Sequence, residues 1–303
     1  MTKNPLIIQK QILKRIFSKV NRRRIAIYSA FPKSASLHLI NLIKIGTDNK
    51  TIIVSAKTGS GWGHNIINEE KIYLDIPNYF KHKVLYGHFP FSAHNNHVLK
   101  TLAPNSNIIV SIRPLPDVVI SYKEHIDRGG LGFGPLDLRI IGASEGNQNW
   151  NNLDDNKKYD YIINFVIPWY IRYIMGWLVG AKEWPLRIIT FEEHTLFPYK
   201  LLESVSDFLK IQITATSVKE KVSPKNIQLT NYNVGRMGRG RQILSREQLI
   251  TIQNILSFFG ESILDSNIGK YLLHGYDGLK FDVTDVVNDY TESAVSCRFS
   301  TTK

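Results

Sequence analysis

Residues 32–36, with the sequence Pro-Lys-Ser-Ala-Ser, have the composition of an anion-binding loop between a strand and a helix. Backbone N–H groups at a helix N-terminus favour an anion, Lys33 adds a full positive charge, and Ser34 and Ser36 add hydroxyl donors. A serine at this place also suits a plain helix N-cap. The loop is not a Walker A loop, because no Gly-x4-Gly-Lys-Ser/Thr occurs in the chain. Taken alone, the loop is compatible both with a phosphate or sulfate site and with an ordinary helix N-terminus.

A second basic position, Arg113, follows the apolar segment 107–112, and Ser121 comes eight residues later in a predicted helix. Both could bind a second anionic group. Each also has an ordinary structural interpretation, since Arg113 suits a surface ion pair and Ser121 suits helix packing. The first loop and Arg113 both lie at the ends of predicted strands.

His88 follows the short predicted strand 83–86 and lies on the loop after it. A histidine can accept a proton near neutral pH, but a single histidine is more often a surface or core residue than a general base, so both interpretations of His88 stay open at this point. The chain has nine histidines and a single cysteine, Cys297. No pair of them has the spacing of a zincin or a zinc finger, which predicts no metal site.

Strands and helices alternate along the chain. This pattern predicts an α/β fold, with a single domain and a central, mostly parallel β-sheet flanked by helices on both faces. Ligands of such sheets bind beyond the carboxyl ends of the strands, where the candidate residues lie. The predicted strands are 24–30, 83–86, 107–112 and 187–191, and the predicted helices are 37–45, 117–125 and 197–210.

The chain has 303 residues, of which 43% are apolar, enough for one large domain. Its 38 Lys and Arg residues against 26 Asp and Glu give a net charge of +12, and eight of the basic residues lie in 1–24. Such an excess suits a nucleic acid, a membrane surface or a phosphorylated small molecule. We expect a basic lead-in at 1–24, the main domain at 25–280 and a polar tail at 281–303.

Neither the N-terminus nor the apolar segment 161–180 is predicted to enter a membrane. The first residues lack the long apolar run of a secretory signal, and one cysteine suits a reducing compartment, so we expect a cytoplasmic protein. Segment 161–180 is long enough to span a bilayer, but Arg172, Asn164 and Pro168 favour a buried core helix. Weak peripheral membrane contact through 1–24 is the alternative to a simple lead-in helix.

Four segments together resemble the sulfotransferases that use 3'-phosphoadenosine-5'-phosphosulfate (PAPS). Residues 28–36 resemble that family's Pro-Lys-Ser-Gly-Thr-Thr-Trp loop, and 110–122 resembles its second signature, an Arg followed by Asp-Val-Val and a Ser. Residues 188–194 look like its Arg-Tyr-Glu-Asp-Leu strand, and 235–248 resembles its late Arg-Lys-Gly segment. The segments occur in the family's order, and His88 matches the histidine of its Lys-Thr-His-Leu-Pro setting.

The resemblance implies a P-loop-like phosphosulfate-binding loop after the first strand and assigns a role to each matching residue. Lys33, Ser34 and Ser36, with the backbone of Ala35 and Leu37, would hold the 5'-phosphosulfate. His88 would be the base, Lys33 the cation that stabilises the leaving group, and Ser121 a restraint on Lys33 until the acceptor arrives. The 3'-phosphate and adenine would be bound by Arg113, Ser121, Phe191, Arg236, Gly238 and Arg239.

Four positions depart from the family pattern. Ala35 replaces a glycine, Leu37 a threonine, His38 a tryptophan that stacks on adenine, and Phe191 a tyrosine. The main-chain cradle accommodates Ala35 only if its φ is negative. Adenine stacking is left without an assigned residue, and His38 is one candidate.

The predicted function is transfer of a sulfuryl group from PAPS to a hydroxyl or amine of a small-molecule acceptor, with secondary metabolites as one acceptor class. The product nucleotide would be adenosine-3',5'-bisphosphate (PAP), and no metal is required. A non-catalytic PAPS- or PAP-binding relative is the first alternative, and a nucleotide-dependent kinase on the same sheet is the second. A nucleic-acid-binding protein is disfavoured, because the basic cluster 1–24 contains one aromatic residue, Phe17.

The segment 126–159 is predicted to form much of the acceptor pocket or a lid over it. It follows the helix that carries Ser121, is rich in glycine, and is irregular in pattern over 129–156. Its acids would favour a cationic or polyhydroxylated acceptor. A solvated surface loop is the alternative. The acids are Asp127, Asp137, Glu145, Asp154 and Asp155.

Overall fold

Five parallel strands form one sheet. The computed structural model describes residues 26–47, 53–55, 84–128, 150–212 and 236–275. The strand order is β2-β3-β1-β4-β5, and every neighbouring pair is parallel. The predicted α/β class is thereby confirmed. The strands are β1 (Ala26–Ala30), β2 (Ile53–Ser55), β3 (Val84–Gly87), β4 (Ile108–Ile112) and β5 (Leu186–Thr190).

Eleven α-helices lie within the described residues. Between β1 and β5 they are α1 (Ser36–Gly46), α2 (Ala93–Leu102), α3 (Leu115–Asp127), α4 (Asp155–Phe165) and α5 (Ile167–Gly180). After β5 they are α6 (Phe191–Leu196), α7 (Pro198–Leu209), α8 (Arg239–Ile243), α9 (Arg246–Ser257), α10 (Ser262–Asp265) and α11 (Asn267–His274). A 3₁₀ turn, Trp150–Asn152, precedes α4.

The sheet is covered on both faces, as predicted. Every residue of β1 and β4 is buried. Alternate side chains point to opposite faces, so Ile27 joins an apolar cluster with α3, α4, α5 and α9, while Tyr28 joins another with α1 and α7. Strands that are buried on both faces read as continuous apolar runs, which is the pattern that identified them in the sequence.

Several element boundaries differ from the prediction. The strand predicted over 187–191 ends at Thr190, because Thr190 and Glu193 form a capping box that starts α6 at Phe191. Helix α3 begins at Leu115, ahead of the predicted 117, because Pro116 suits the first turn of a helix. Strand β2 and helices α2, α6 and α8 to α11 were not predicted from the sequence.

The apolar segment 161–180 lies inside the fold, and its interpretation as core helix is confirmed. Asp155–Gly180 is the one stretch of the described chain long and apolar enough to cross a membrane, but 61% of its apolar window is buried. It consists of two helices, α4 and α5, that join at Val166. The proposed domain boundaries stay predictions, because residues 1–25 and 276–303 lie outside the described part.

Candidate functional site

The loop after β1 has an unusual backbone. Ser34 uses both its N–H and its Oγ to contact the carbonyl of Phe31, at 3.2 and 2.6 Å, which closes a tight turn. Lys33 and Ala35, on either side of Ser34, have φ values of 70° and 64°. The hydroxyl of Ser34 therefore stabilises the turn, whereas the sequence had suggested that it contacts a ligand.

Ala35 lies in the left-handed region, so the negative φ that the sequence analysis required is not found. A Cβ in this conformation approaches the neighbouring carbonyl and costs about 1–2 kcal/mol. The family pattern has a glycine at this position, and glycine adopts a positive φ easily. Here the backbone has that conformation although the residue is an alanine. The surrounding contacts must hold it there, as is common where strain is stored at a functional site.

We expect Ala35→Gly to raise the free energy of unfolding by about 1 kcal/mol, because glycine adopts a positive φ without a Cβ clash. Thermal or urea unfolding measures this difference. The matched control is Ala181→Gly, where φ is −62° and the same substitution should lower stability by about 0.5–1 kcal/mol. A loss of stability at position 35 as large as that at position 181 would show that Ala35 is unstrained in solution.

Helix α1 begins directly after this loop with its N-terminus open to a ligand. Its N-cap residue, Ala35, provides no side-chain cap, so no side chain of that residue satisfies the first N–H groups of the helix. Ser36 is buried, and its Oγ lies 2.9 Å from the hydroxyl of Tyr86. Leu37 is 42% exposed at the first turn. An anion at this position would meet N–H groups and the positive end of the helix dipole.

Lys33 is half-buried among other cations. Its pKa is lowered to about 8, mainly by burial and further by the nearby charges of Arg113 and Arg128, while Glu124 opposes the shift. A multiply charged anion placed here would relieve the repulsion between these cations and restore the pKa. The electrostatics of the loop therefore favour a phosphate or sulfate ligand.

Arg113 follows β4 directly and connects the end of that strand to the loop after β1. It is 7% exposed, and its Nη1 donates to the carbonyl of Lys33 at 3.2 Å. Its guanidinium carbon lies 3.9 Å from the centre of the Phe191 ring, so one face of that ring is covered. The Nε of Arg113 is buried and has no hydrogen-bond partner among the described residues. The structure thus brings together three of the predicted residues: Lys33, Arg113 and Phe191.

His88 lies on the loop after β3 and is tied to the end of β1. Its Nδ1 lies 2.6 Å from the carbonyl of Ala30, so Nδ1 is the donor and Nε2 carries the lone pair. Its pKa is lowered to about 4, mainly by burial and also by the charge of Lys33. His88 is therefore neutral at neutral pH, which is the form that can accept a proton.

The predicted basic segment near residue 238 packs against α3. The N–H groups of Gly238 and Gly240 both donate to the carboxylate of Asp117, at 2.9 and 2.7 Å. Arg239 forms an ion pair with Glu124, while Arg236 is exposed. Of the three residues predicted for the 3'-phosphate here, Gly238 and Arg239 are therefore engaged by acids of α3.

Ser121 lies on the same face of α3. It is one helical turn after Asp117 and one turn before Glu124, and both of those residues contact the 238–240 segment. Its side chain is half-buried. The structure thus places Ser121 on the helix face that meets the basic segment.

Aromatic residues of α5 support the loops that carry the site. The hydroxyl of Tyr170 donates to the carbonyl of Pro32, and that of Tyr173 hydrogen-bonds with Ser29. Trp177 donates from Nε1 to the carbonyl of Phe89 at 3.2 Å. These contacts could not be predicted from the sequence, because a tyrosine on a buried helix gives no signal of which carbonyl its hydroxyl will meet.

His38, the proposed replacement for the adenine-stacking tryptophan, is only 6% exposed. It lies near His194, whose pKa is lowered to about 3 by burial and by His38. His194 in turn contacts Ser111 at 3.1 Å, and Ser111 contacts Tyr28 at 2.5 Å. A buried polar network thus lies behind α1, and the adenine role of His38 stays a prediction.

Three acids of the predicted acceptor segment have structural partners. Asp127 pairs with Lys123 and Lys158 and accepts from Trp150. Asp155 pairs with Lys123 as well, and Asp154 caps α4 by accepting from the N–H of Lys157. Asp127 and Asp155 therefore hold α4 against α3, while Asp154 caps α4 itself, and their place in an acceptor pocket stays a prediction.

Only part of the predicted acceptor segment, 126–159, lies within the described residues. Asp137, Glu145 and the glycine-rich stretch lie in 129–149, outside the described residues, and the acceptor pocket there stays a prediction. Residues 150–156, which the sequence analysis placed in an irregular stretch, form the 3₁₀ turn and the start of α4. The N-cap at Asp154 explains this early start.

Comparisons with known proteins show the fold. No protein-family model matches the sequence, and no curated protein matches it. Mouse sulfotransferase SULT7A1, complexed with PAP, matches with a TM-score of 0.54 and 14% identity, over 86% of this chain and 92% of that chain. This chain therefore has the fold of a sulfotransferase, as its motifs implied.

Two further solved structures match less well. Retinol dehydratase, in complex with androsterone and inactive cofactor PAP, has a TM-score of 0.46 and 12% identity, over 82% of this chain and 85% of that chain. A sulfotransferase from Alicyclobacillus acidocaldarius has a TM-score of 0.40 and 13% identity, over 77% of this chain and 96% of that chain.

Within the described residues, no group of three or more His, Cys, Asp or Glu residues could hold a metal ion.

Proposed function

We propose that this protein transfers the sulfuryl group of PAPS to a hydroxyl or amine of a small-molecule acceptor. The observation that carries the proposal is the contact of Arg113 with the carbonyl of Lys33 at the uncapped N-terminus of α1. A buried arginine that contacts the backbone of a half-buried lysine, close enough for their charges to interact, favours a ligand with several negative charges. PAPS, with its 5'-phosphosulfate and 3'-phosphate, is such a ligand.

The two ends of the donor would bind to different elements. The 5'-phosphosulfate would meet Lys33, the N–H groups that begin α1, and the Ser36 hydroxyl. The 3'-phosphate would meet Arg113 and Arg236, with Ser121 on the adjoining helix face. Gly238 and Arg239 would support this end through α3, and Phe191 would pack beneath Arg113 at the side of the adenosine.

The reaction itself is an in-line transfer. The acceptor oxygen or nitrogen attacks sulfur and forms a new bond to it, while the bond between sulfur and the bridging phosphate oxygen breaks. The acceptor's proton would pass to Nε2 of His88, and PAP would leave with its charge stabilised by Lys33. A positively charged lysine supplies this stabilisation, so the reaction as proposed requires no metal ion.

The acceptor is proposed only as a class. The fold and the donor signatures are compatible with many acceptors, so the acceptor must be identified by experiment. We favour a small metabolite, including secondary metabolites, and a cytoplasmic enzyme. A screen of acceptor pools for a mass gain of one sulfuryl group identifies it, with ³⁵S-labelled PAPS as the donor.

We expect PAP to raise the melting temperature by several degrees at saturating concentration, and ATP with Mg²⁺ to raise it little or not at all. A ligand that binds only the folded state stabilises it in proportion to the logarithm of its concentration above Kd. PAP offers a 3'-phosphate to Arg113, which ATP lacks. Differential scanning fluorimetry over a concentration series of each nucleotide makes the measurement.

The outcomes separate the alternatives. Greater stabilisation by ATP than by PAP would replace this proposal with a kinase. Stabilisation by PAP without transfer of ³⁵S to any acceptor pool would favour a non-catalytic relative. Transfer that survives EDTA supports Lys33 as the cation at the leaving group, and strict dependence on an added metal would contradict it.

A further inference from the structure

Asp117 contacts both basic elements of the proposed 3'-phosphate site. It is 2% exposed, and each of its carboxylate oxygens accepts one backbone N–H of the late segment, from Gly238 and Gly240. The same carboxylate lies 4.0 Å from Nη2 of Arg113. One side chain on α3 thus links Arg113 to a segment more than a hundred residues away in sequence.

The segment fits against α3 with little freedom. A Cβ on Gly240 would lie 2.1 Å from the carbonyl carbon of Pro116, so no larger residue fits at this contact. Gly238 has open space around it but a φ of 72°, which turns the chain so that both N–H groups face Asp117. Two N–H groups that converge in this way form a concave anion site, here filled by the protein's own carboxylate.

A second acid of α3 extends this contact. Glu124 lies two helical turns after Asp117 and pairs with Arg239, and both side chains of the pair are about one-fifth exposed. Arg236 precedes Gly238 by two residues, so its Cα lies within about 7 Å of the Cα of Gly238. The two acids therefore fix where the side chain of Arg236 can reach relative to Arg113.

We propose that Asp117 and Glu124 are positioning residues that hold segment 236–240 against α3, and that they thereby set the preference for nucleotides with a 3'-phosphate. The inference rests on the proposed function, because it names how the 3'-phosphate end of that site is assembled. Neither acid contacts the donor itself. Both act through the backbone of Gly238 and Gly240 and the side chain of Arg239.

The test compares affinities for PAP and AMP, which share the adenosine and 5'-phosphate and differ in the 3'-phosphate. We expect Asp117→Asn to lower the ratio of Kd for AMP to Kd for PAP by roughly tenfold, the effect of about 1.4 kcal/mol. The asparagine keeps the size of the side chain but replaces one acceptor oxygen with a donor that faces an N–H group. Isothermal titration of both nucleotides gives the ratio.

Two further variants make the test sharper. Glu124→Gln removes the charge partner of Arg239 at a position that is about one-fifth exposed, and should lower the same ratio less than Asp117→Asn does. Asp160→Asn is the matched control. The Oδ1 of Asp160 accepts from Gln248 at 2.8 Å and so ties α4 to α9, and its loss should leave the ratio unchanged.

A second readout needs no ligand. In Asp117→Asn, hydrogen exchange at the amides of Gly238 and Gly240 should become faster than in the wild type, while the amides of β4 keep their protection. Unchanged exchange in Asp117→Asn would overturn the contact itself.

The two proposals fail in different ways. A wild-type protein that binds PAP no better than AMP contradicts the proposed function, whatever the exchange data show. A wild-type protein that prefers PAP, with the same preference in Asp117→Asn and Glu124→Gln, overturns the positioning role and leaves the proposed function intact. An equal loss of affinity for AMP and PAP would show that Asp117 acts only on stability.

Discussion

Lys33→Ala is expected to lower kcat by on the order of 10² or more, with a smaller effect on the Kd for PAP. The reason is that charge grows on the bridging phosphate oxygen as the bond to sulfur breaks, and a cation placed there is worth more in the transition state than in the ground state. Arg113 lies against the carbonyl of Lys33 and stays in place, so much of the donor affinity should survive. Single-turnover transfer from ³⁵S-labelled PAPS gives the rate of the chemical step.

Two variants control for simpler causes. Lys182→Ala removes an exposed lysine and should leave kcat unchanged. Lys33→Arg keeps the charge but changes its shape, and should recover part of the lost rate. A Lys33→Ala protein with normal kcat and weakened donor binding would show that Lys33 only binds the donor, and the cation at the leaving group would have to be sought elsewhere.

The pH dependence of the same enzyme gives an independent check. With its pKa lowered to about 8, Lys33 loses its proton above that pH in the free protein. The value of kcat/KM for PAPS should therefore fall as pH rises through about 8. Bound phosphosulfate favours the charged lysine, so the corresponding fall in kcat should occur at higher pH.

The sequence predicted the sheet well because its strands are buried on both faces. A short, mostly apolar run such as 108–112 is typical of a strand in the middle of a parallel sheet, where both faces are covered. The loops that follow such strands lie together at one edge of the sheet. The approach of Lys33, His88 and Arg113 to one another follows from that topology. Strand β2 was missed because three residues are too short a run to give a signal.

What the sequence could not predict depends on tertiary contact. The pattern Arg-x3-Asp in 113–117 shows two charges on one side of a helix, but it does not reveal that Asp117 receives two N–H groups from 238–240. The sequence also does not reveal that Asp127 and Asp155 hold α4 against α3, because their lysine partners lie on a different turn or a different helix. Side-chain pairing of this kind is fixed only once the elements have packed.

The backbone conformation of the loop after β1 could not be predicted from the sequence either. A negative φ at Ala35 was the condition under which the sequence allowed the main-chain cradle, since alanine avoids the left-handed region. In the structure the carbonyl of Phe31 receives both donors of Ser34, which closes a turn over residues 31–34 with a positive φ at Lys33. Ala35 follows this turn as the N-cap of α1 and also has a positive φ, of 64°. At Lys33, local propensity is overridden by the hydrogen bonds of the turn and by the contact of Arg113 with the carbonyl of Lys33.

His88→Asn is expected to lower kcat by roughly 10²–10⁴ while leaving the Kd for PAP and the thermal stability close to wild type. The amide nitrogen of asparagine can take the place of Nδ1 and keep the hydrogen bond to the carbonyl of Ala30. It has no counterpart of Nε2, so the acceptor's proton has no base to receive it. The variant thus separates the positioning role of one ring nitrogen from the chemical role of the other.

The control is His97→Asn, the same substitution at an exposed position of α2, which should leave turnover unchanged. Near-normal turnover in His88→Asn would place the base elsewhere. His38 is then the first residue to replace, because it lies in the first turn of α1 directly after the Lys33 loop. His194 is the less suitable candidate, because it is fully buried and its pKa is lowered to about 3.

The pH profile tests the same assignment without a substitution. A base with an ordinary histidine pKa of about 6.5 would give an acid limb near that pH in kcat/KM for PAPS, which reports the enzyme before the donor binds. With the pKa of His88 lowered to about 4, the limb should lie well below 6.5, because the imidazole stays unprotonated until the pH falls through about 4. Donor binding brings negative charge near Lys33 and favours the imidazolium, so the limb in kcat should lie at higher pH than that in kcat/KM measured before the donor binds. An acid limb at 6.5 in kcat/KM for PAPS would mean that the proton passes to a group other than the His88 ring.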